Sequence, residues 1–352
     1  MDHRHHPLAS GGEVTMRTHY LLALALLAAT APAVAQGPGT PSVEGRITRL
    51  DPRFDQLIPP GARLEMIVDG HEWAEGPLWD RTNGCLLFSD VIRNTAYRWC
   101  EGKGESVLLE RSGYTGSAPF PGKEPGSNGL AFDRKGNLLM AEHGDRRISR
   151  LGPDGKKATL VDRFHGRRIN SPNDLILDAN GDLLFTDPPW GLPKWWDDPG
   201  KELPINGVYR LTARGELRLI EGEFQAPNGI ALTPDGTTLI VSESKPEIGA
   251  WYAMAVNRDG SLGPRKKLLD AVPWSVNRKG VPDGLKLDRD GVIFGGGPGG
   301  VYVIAMDGTL LGIIETGGPA SNTVWGDDGS TLYITSGARI FRIRTSTVGA
   351  GW

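Results

Sequence analysis

Asn128 to His143 read NGLAFDRKGNLLMAEH, and this stretch decides the fold because it recurs five more times along the chain. The pattern is an Asn, Asp or Glu, usually a Gly, an apolar residue, a short polar turn and then an apolar strand. The other copies are EGPLWDRTNGCLLFSD (75–90), NDLILDANGDLLFTD (173–187), NGIALTPDGTTLIVSE (228–243), DGLKLDRDGVIFGGG (283–297) and NTVWGDDGSTLYITS (322–336). Successive heads are 53, 45, 55, 55 and 39 residues apart, the spacing of a four-stranded propeller blade. Each copy carries the Gly and Asn or Asp of a hairpin turn. No such unit can bury both of its faces alone, so the reading is an all-β, six-bladed β-propeller. Only 30 residues follow Asn322, enough for three strands and not four. A strand from the N-terminal side, ARLEMIV at 62–68, is therefore predicted to complete the last blade and close the ring, which removes an exposed edge.

The composition fits a globular β protein. Of 352 residues, 39% are apolar and 23% charged, too apolar for disorder. The 49 glycines are about twice the usual share, and with 26 prolines they exclude long helices. A formal net charge of -3 gives no basic footprint for nucleic acid or anionic lipid. From Met16, MRTHYLLALALLAATAPAVAQ has a charged start, a short apolar run and small residues at Ala33 and Ala35, the signature of a secretory signal peptide. Residues 1–35 are read as leader and signal peptide, 36–60 as an N-terminal extension and 61–352 as the catalytic propeller. The expected location is periplasmic or secreted, with no membrane attachment after signal cleavage, as a monomer or small homo-oligomer. Four of the seven histidines (His3, His5, His6, His19) fall in the leader, so a histidine-rich zinc site is not expected.

Cys85 and Cys100 are the only cysteines. CLLFSD (85–90) and TAYRWC (95–100) read as a hairpin, and if Phe88 faces Tyr97 the two cysteines face each other. That register permits a cross-strand disulfide, in keeping with an oxidising compartment, and two buried free thiols are the alternative.

The residue heading each repeat precedes the innermost strand of its blade, so Glu75, Asn128, Asn173, Asn228, Asp283 and Asn322 are expected at one mouth. Two carboxylates among amide oxygens suit a hard divalent cation, Ca²⁺ above Mg²⁺ because several separate turns supply the ligands. Turn formation by Asn-Gly and Asp-Gly is the competing reading, but it does not explain Glu75. On the same face the turn after Asp187 is enlarged to PPWGLPKWWDDPGKELPING (188–207), and long loops in compact domains are usually functional. Asn128, His143, Asp187 and Trp190 are the candidate substrate contacts, an aromatic face beside hydrogen-bonding groups being what a polar ring needs. No G-x-S-x-G elbow occurs, and the glycines at 295, 297 and 300 are interrupted by Pro298 and followed by a strand rather than a nucleotide-binding helix.

The chain resembles the senescence marker protein/gluconolactonase group of six-bladed propellers. The carriers are EGPLW (75–79), LLFSDVIRNTAYRW (86–99), SNGLAFD (127–133), SPNDLILD (171–178), LLFTDPPWGLP (183–193), APNGIAL (226–232) and VPDGLKLD (281–288). The resemblance implies a central Ca²⁺, or another divalent ion such as Zn²⁺, Mg²⁺ or Mn²⁺, held by Glu75, Asn173, Asn228 and Asp283. It also implies hydrolysis of a small-molecule lactone such as glucono-1,5-lactone, with Asp283 as general base or nucleophile. The DPPWGLP loop is similar to bacterial members, and Ser171 stands where an animal-type member has a substrate-binding Arg. A phosphotriesterase or arylesterase of the same propeller type, a non-catalytic sugar-binding propeller and a strictosidine-synthase-like enzyme are the alternatives.

Overall fold

The computed structural model describes residues 45–352, so the predicted leader and signal peptide lie outside the described residues. Four-stranded antiparallel sheets begin at each repeat. The first blade runs Ala74–Asp80, Cys85–Asp90, Thr95–Cys100 and Gly104–Glu110, and the second starts at Ser127–Phe132, the third at Leu175–Leu177 and the fourth at Pro227–Leu232. The fifth starts at Leu285–Leu287 and the sixth at Asn322–Gly326. The six first strands touch in a cycle, each packed against the next and Asn322–Gly326 packed back on Ala74–Asp80. They form the inner wall of a six-bladed propeller.

The last blade is completed as the strand count requires: Leu64–Val68 pairs antiparallel with Arg339–Arg344. One strand was not anticipated. Arg46–Arg49, within the N-terminal extension, pairs with Leu310–Glu315 and gives the fifth blade a fifth, outer strand.

Alternation along each strand builds the core, because both faces of every blade are covered. In Cys85–Asp90, Leu86 and Phe88 pack with Val324, Tyr333 and Ile340 of the sixth blade, while Leu87 packs with Leu130, Leu138 and Met140 of the second. Six buried apolar clusters of this kind are found among the described residues, one at each junction between blades.

The turns follow their sequence. Gly84, Gly136, Gly181, Gly236, Gly291 and Gly329 all have positive φ, from 61° to 91°, the left-handed conformation that favours glycine. In the first hairpin Phe88 pairs with Tyr97 and Cys85 with Cys100. The two cysteines are disulfide-bonded, with Cα atoms 4.5 Å apart.

Candidate functional site

The heads of the repeats are not turn residues. In the first, second and fourth blades the inner strand breaks register at the head, between Glu75 and Leu78, Ser127 and Leu130, and Pro227 and Ile230. In the third and fifth blades the ladder starts only after Asn173-Asp174 and Asp283-Gly284. A bulge re-aims a side chain: it takes Asn128 and Asn228 out of the ladder, while Glu75 still pairs with Ser89 and the break follows it. The glycine after the head serves close approach between blades. A Cβ on Gly76 would sit 1.9 Å from the Asn128 carbonyl oxygen, on Gly129 2.6 Å from that of Asn173, and on Gly229 2.4 Å from that of Asp283. Of these four head glycines, Gly76, Gly129, Gly229 and Gly284, only Gly76 has positive φ, which disposes of the turn reading.

Hydrogen bonds fix the heads to one another. Ser89 Oγ donates to the Asn128 carbonyl at 3.0 Å, Thr186 Oγ1 to that of Asn228 at 2.7 Å and Ser242 Oγ to that of Asp283 at 2.8 Å. Ser321 Oγ donates to the Ala74 carbonyl at 2.7 Å, joining the last blade to the first. At the two remaining junctions a backbone amide does this work, Gly129 N to Asn173 O and Gly284 N to Ser321 O, both 2.7 Å. Each of the six junctions is thus bridged at the level of the heads. Three of the four hydroxyls belong to the FSD, FTD and VSE segments, and the fourth, Ser321, precedes the head Asn322.

Glu75, Asn128, Asn173, Asn228 and Asp283 are all buried. Burial pushes the Glu75 carboxyl up to about 8, assisted by the negative charges of Asp174 and Glu124. Asp283 is held well above the ordinary carboxylate range by burial and then by the charge of Glu75. Two mutually repelling buried carboxylates are costly unless a cation joins them. The amides beside them fit this need, since Asn128 Oδ1 is buried with no hydrogen-bond partner among the described residues. Asn173 is pinned through its backbone N–H and carbonyl and Asn228 through its carbonyl. No group of three or more His, Cys, Asp or Glu with metal-holding geometry occurs among the described residues. The two carboxylates and the amides are all oxygen donors, the kind a hard ion prefers. Asn322, like Glu75 and Asp283, accepts from the backbone N–H that follows it, here Thr323 N at 2.8 Å. It differs in that its side chain fills the space a Cβ on Gly284 would enter.

In the enlarged loop Trp190 stands edge-on to Trp195 and Trp196, with ring centroids 5.4 and 4.9 Å away. Trp196 is spoken for: its Nε1 donates to Gln225 O at 2.9 Å and Lys245 Nζ lies over its ring. The Trp190 Nε1 is buried and unpartnered among the described residues. Ser171 holds the turn that carries Trp190, donating to Pro188 O at 2.6 Å and accepting from Gly191 N at 2.9 Å. Ser171 is thus a support for the tryptophan loop. Gly191 also lies against His143, since a Cβ there would be 2.6 Å from the His143 Cβ. Nδ1 of His143 is 3.2 Å from Oε2 of Glu124, a residue from the loop 111–126 that no repeat marked.

Asp187 is wholly buried, its Oδ2 accepts from Asn170 N at 2.7 Å, and its Oδ1 has no hydrogen-bond partner among the described residues. Asp90 and Glu243, which end the same strand in other blades, likewise accept from backbone amides of the segment entering their own blade. The acid that closes FSD, FTD and VSE thus holds that segment in place, and in Asp187 the second oxygen is left over.

Residues 73–338 match the SMP-30/gluconolactonase/LRE-like region. The chain is 37% identical over 316 residues to a gluconolactonase of Zymomonas mobilis, covering 88% of each chain. It is 26% identical over 270 residues to a 6-deoxy-6-sulfogluconolactonase of Pseudomonas putida, covering 74% of this chain and 82% of that one. The solved structure of a Xanthomonas campestris gluconolactonase superposes with a TM-score of 0.75 at 34% identity, covering 88% of this chain and 98% of that one. A six-bladed ring with its repeat heads joined along the inner strands and a family match across nearly the whole propeller have one consequence: the chain belongs to the SMP-30/gluconolactonase/LRE-like family.

Proposed function

We propose that the protein is a metal-dependent lactonase acting on an aldonolactone such as glucono-1,5-lactone. The observation that carries this reading is the buried Glu75 and Asp283 pair among the amides of Asn128, Asn173 and Asn228. The gluconolactonase relatives support the lactone-hydrolysing activity, and the donor set supports the cation. Glu75, Asn173, Asn228 and Asp283 would hold Ca²⁺ or another divalent ion such as Zn²⁺, Mg²⁺ or Mn²⁺. A bound cation supplies positive charge to polarise an ester carbonyl.

The chain's own groups then have distinct tasks. Asp283 accepts a proton from the attacking water at its carboxylate, which a neighbouring cation would keep ionised and so able to act as a base. Direct attack by Asp283 on the carbonyl is the covalent variant. Asn128 offers an unpartnered amide to the substrate and Trp190 offers a ring face and an N–H donor. The Cys85–Cys100 disulfide supports the periplasmic or secreted location.

The test is acid release from glucono-1,5-lactone at constant pH, before and after chelation and again after Ca²⁺ is restored. Activity should vanish with the chelator and return with the ion. Undiminished turnover by metal-free protein would refute the metal dependence, and no hydrolysis by the loaded protein over a panel of lactones would refute the activity.

A further inference from the structure

The mouth contains a carboxylate that no repeat supplies. Glu124 sits at the end of the loop 111–126, and the backbone on both sides of it is fixed. Asn94 Oδ1 accepts from Gly113 N and Tyr114 N at 2.8 and 3.0 Å, anchoring the loop's start. Its end is clamped between two blades, with Gly126 N donating to Val91 O at 2.8 Å and His143 N to Gly126 O at 3.1 Å. Gly144 N donates to Pro125 O at 3.2 Å, one residue beyond Glu124. Its side chain meets a buried ring. Oε2 lies 3.2 Å from Nδ1 of His143, whose side chain is 0% exposed, whereas that of Glu124 is 29% exposed. The contact is close without hydrogen-bond geometry, both imidazole nitrogens lacking a hydrogen-bond partner among the described residues, so a buried imidazole lies against one end of a carboxylate that reaches the surface.

That carboxylate overlooks the cation site without belonging to it. Its charge adds to the field that raises both Glu75 and Asp283, so it is near. Yet among the described residues Glu75, Asp283 and Glu124 do not form a three-acid group of metal-holding geometry. His143 also touches the turn at Gly191, beside Trp190. His143 is therefore a shared neighbour of Glu124 and of the turn that carries Trp190. An ionised carboxylate accepts hydrogen bonds and donates none, and what it recognises on a neutral ring is hydroxyl.

We propose that Glu124, positioned by His143, determines specificity by accepting hydrogen bonds from the ring hydroxyls of a polyhydroxylated lactone. This deepens the lactonase reading and rests on it. It assigns Glu124 to substrate recognition, His143 to positioning, and neither to the chemical step.

The experiment compares glucono-1,5-lactone with δ-valerolactone, which has the same ring without hydroxyls, in the metal-loaded enzyme. Glu124→Gln keeps the shape and removes the charge. It should lower kcat/KM for glucono-1,5-lactone by about 10- to 100-fold, the worth of a hydrogen bond to a charged group, mostly through KM. For δ-valerolactone the change should stay within about threefold. His143→Gln should move the same ratio in the same direction by less, and the double variant should be no worse than Glu124→Gln alone, because the imidazole acts through the carboxylate. An equal loss on both lactones would overturn the assignment in favour of a role at the cation or in the chemical step. An unchanged ratio, or additive penalties in the double variant, would overturn it too. Wild-type protein that hydrolyses neither lactone would instead sink the lactonase reading, and this assignment with it.

Discussion

Gly229→Ala puts the inter-blade geometry to a quantitative test. The added methyl would lie 2.4 Å from the Asp283 carbonyl oxygen, 2.7 Å from Gly284 Cα and 2.9 Å from Leu285 N. All three are backbone atoms, so no side chain can rotate out of the way. Restoring ordinary contact requires a separation of about 0.8 Å or more between the fourth and fifth blades, and overpacking of this kind destabilises by about 1–3 kcal/mol. The shift falls on Asp283, whose carbonyl is also held by Ser242 Oγ at 2.8 Å. A displacement approaching 1 Å at a reacting group lowers turnover by about 10²-fold. Gly236→Ala is the control: Gly236 has φ of 70° and nothing within 4 Å of its would-be Cβ, so it carries only the backbone strain of a left-handed residue, about 1 kcal/mol. Urea unfolding and lactone kinetics on both variants provide the assay. Gly229→Ala should lose most of its kcat/KM at saturating Ca²⁺, while Gly236→Ala should be destabilised but as active as the parent. Wild-type kinetics in Gly229→Ala would refute the argument that this glycine sets the position of Asp283.

Three further outcomes are expected. Reducing the Cys85–Cys100 bond, or replacing both with Ser, should lower the unfolding free energy by about 3 kcal/mol, the value for a loop closed across 15 residues, as read by urea denaturation with and without reductant. Burial alone would depress the His71 imidazolium, but its hydrogen bonds to Asp90 and Glu105, 3.1 and 2.8 Å long, outweigh this and lift its pKa to about 9. A folded pKa above the unfolded one means this stabilisation is complete below about pH 6.5 and lost as the pH rises through 9. Stability should therefore fall by up to about 3 kcal/mol across that window, and the fall should disappear in His71→Gln. Ser171→Ala removes both hydrogen bonds that hold the Pro188–Gly191 turn, so KM for glucono-1,5-lactone should rise several-fold with kcat little changed, and an unaltered KM would show that Trp190 needs no such support.

The parts of the structure visible in the sequence are those governed by short-range rules. Hairpin glycines must adopt positive φ, so six of them at matching places mark six hairpins, and one surplus N-terminal strand follows from counting. The Cys85–Cys100 pairing was legible because a hairpin's register is fixed by its turn. The four residues of Arg46–Arg49 were not, since their partners lie beyond position 309 and RITR carries no apolar alternation. Glu124 escaped notice for a related reason. Its position depends on contacts to Val91, His143 and Gly144, which are distant or across a turn, and its loop has no periodicity to betray them. The bond from Asn170 N to Asp187 was not legible from one copy of the repeat, and comparison with Asp90 and Glu243 across blades exposes it.

The most direct test of the account is lactone hydrolysis by Asp283→Asn over a calcium titration, with metal occupancy measured alongside. The substitution keeps the shape and an oxygen ligand but removes one of the two negative charges that Glu75 and Asp283 bring to the axis. Calcium binding should weaken and excess ion should refill the site. The refilled variant is predicted to remain slower than wild type by on the order of 10² or more, the worth of a positioned base. Wild-type turnover in the calcium-saturated variant would contradict the role given to Asp283.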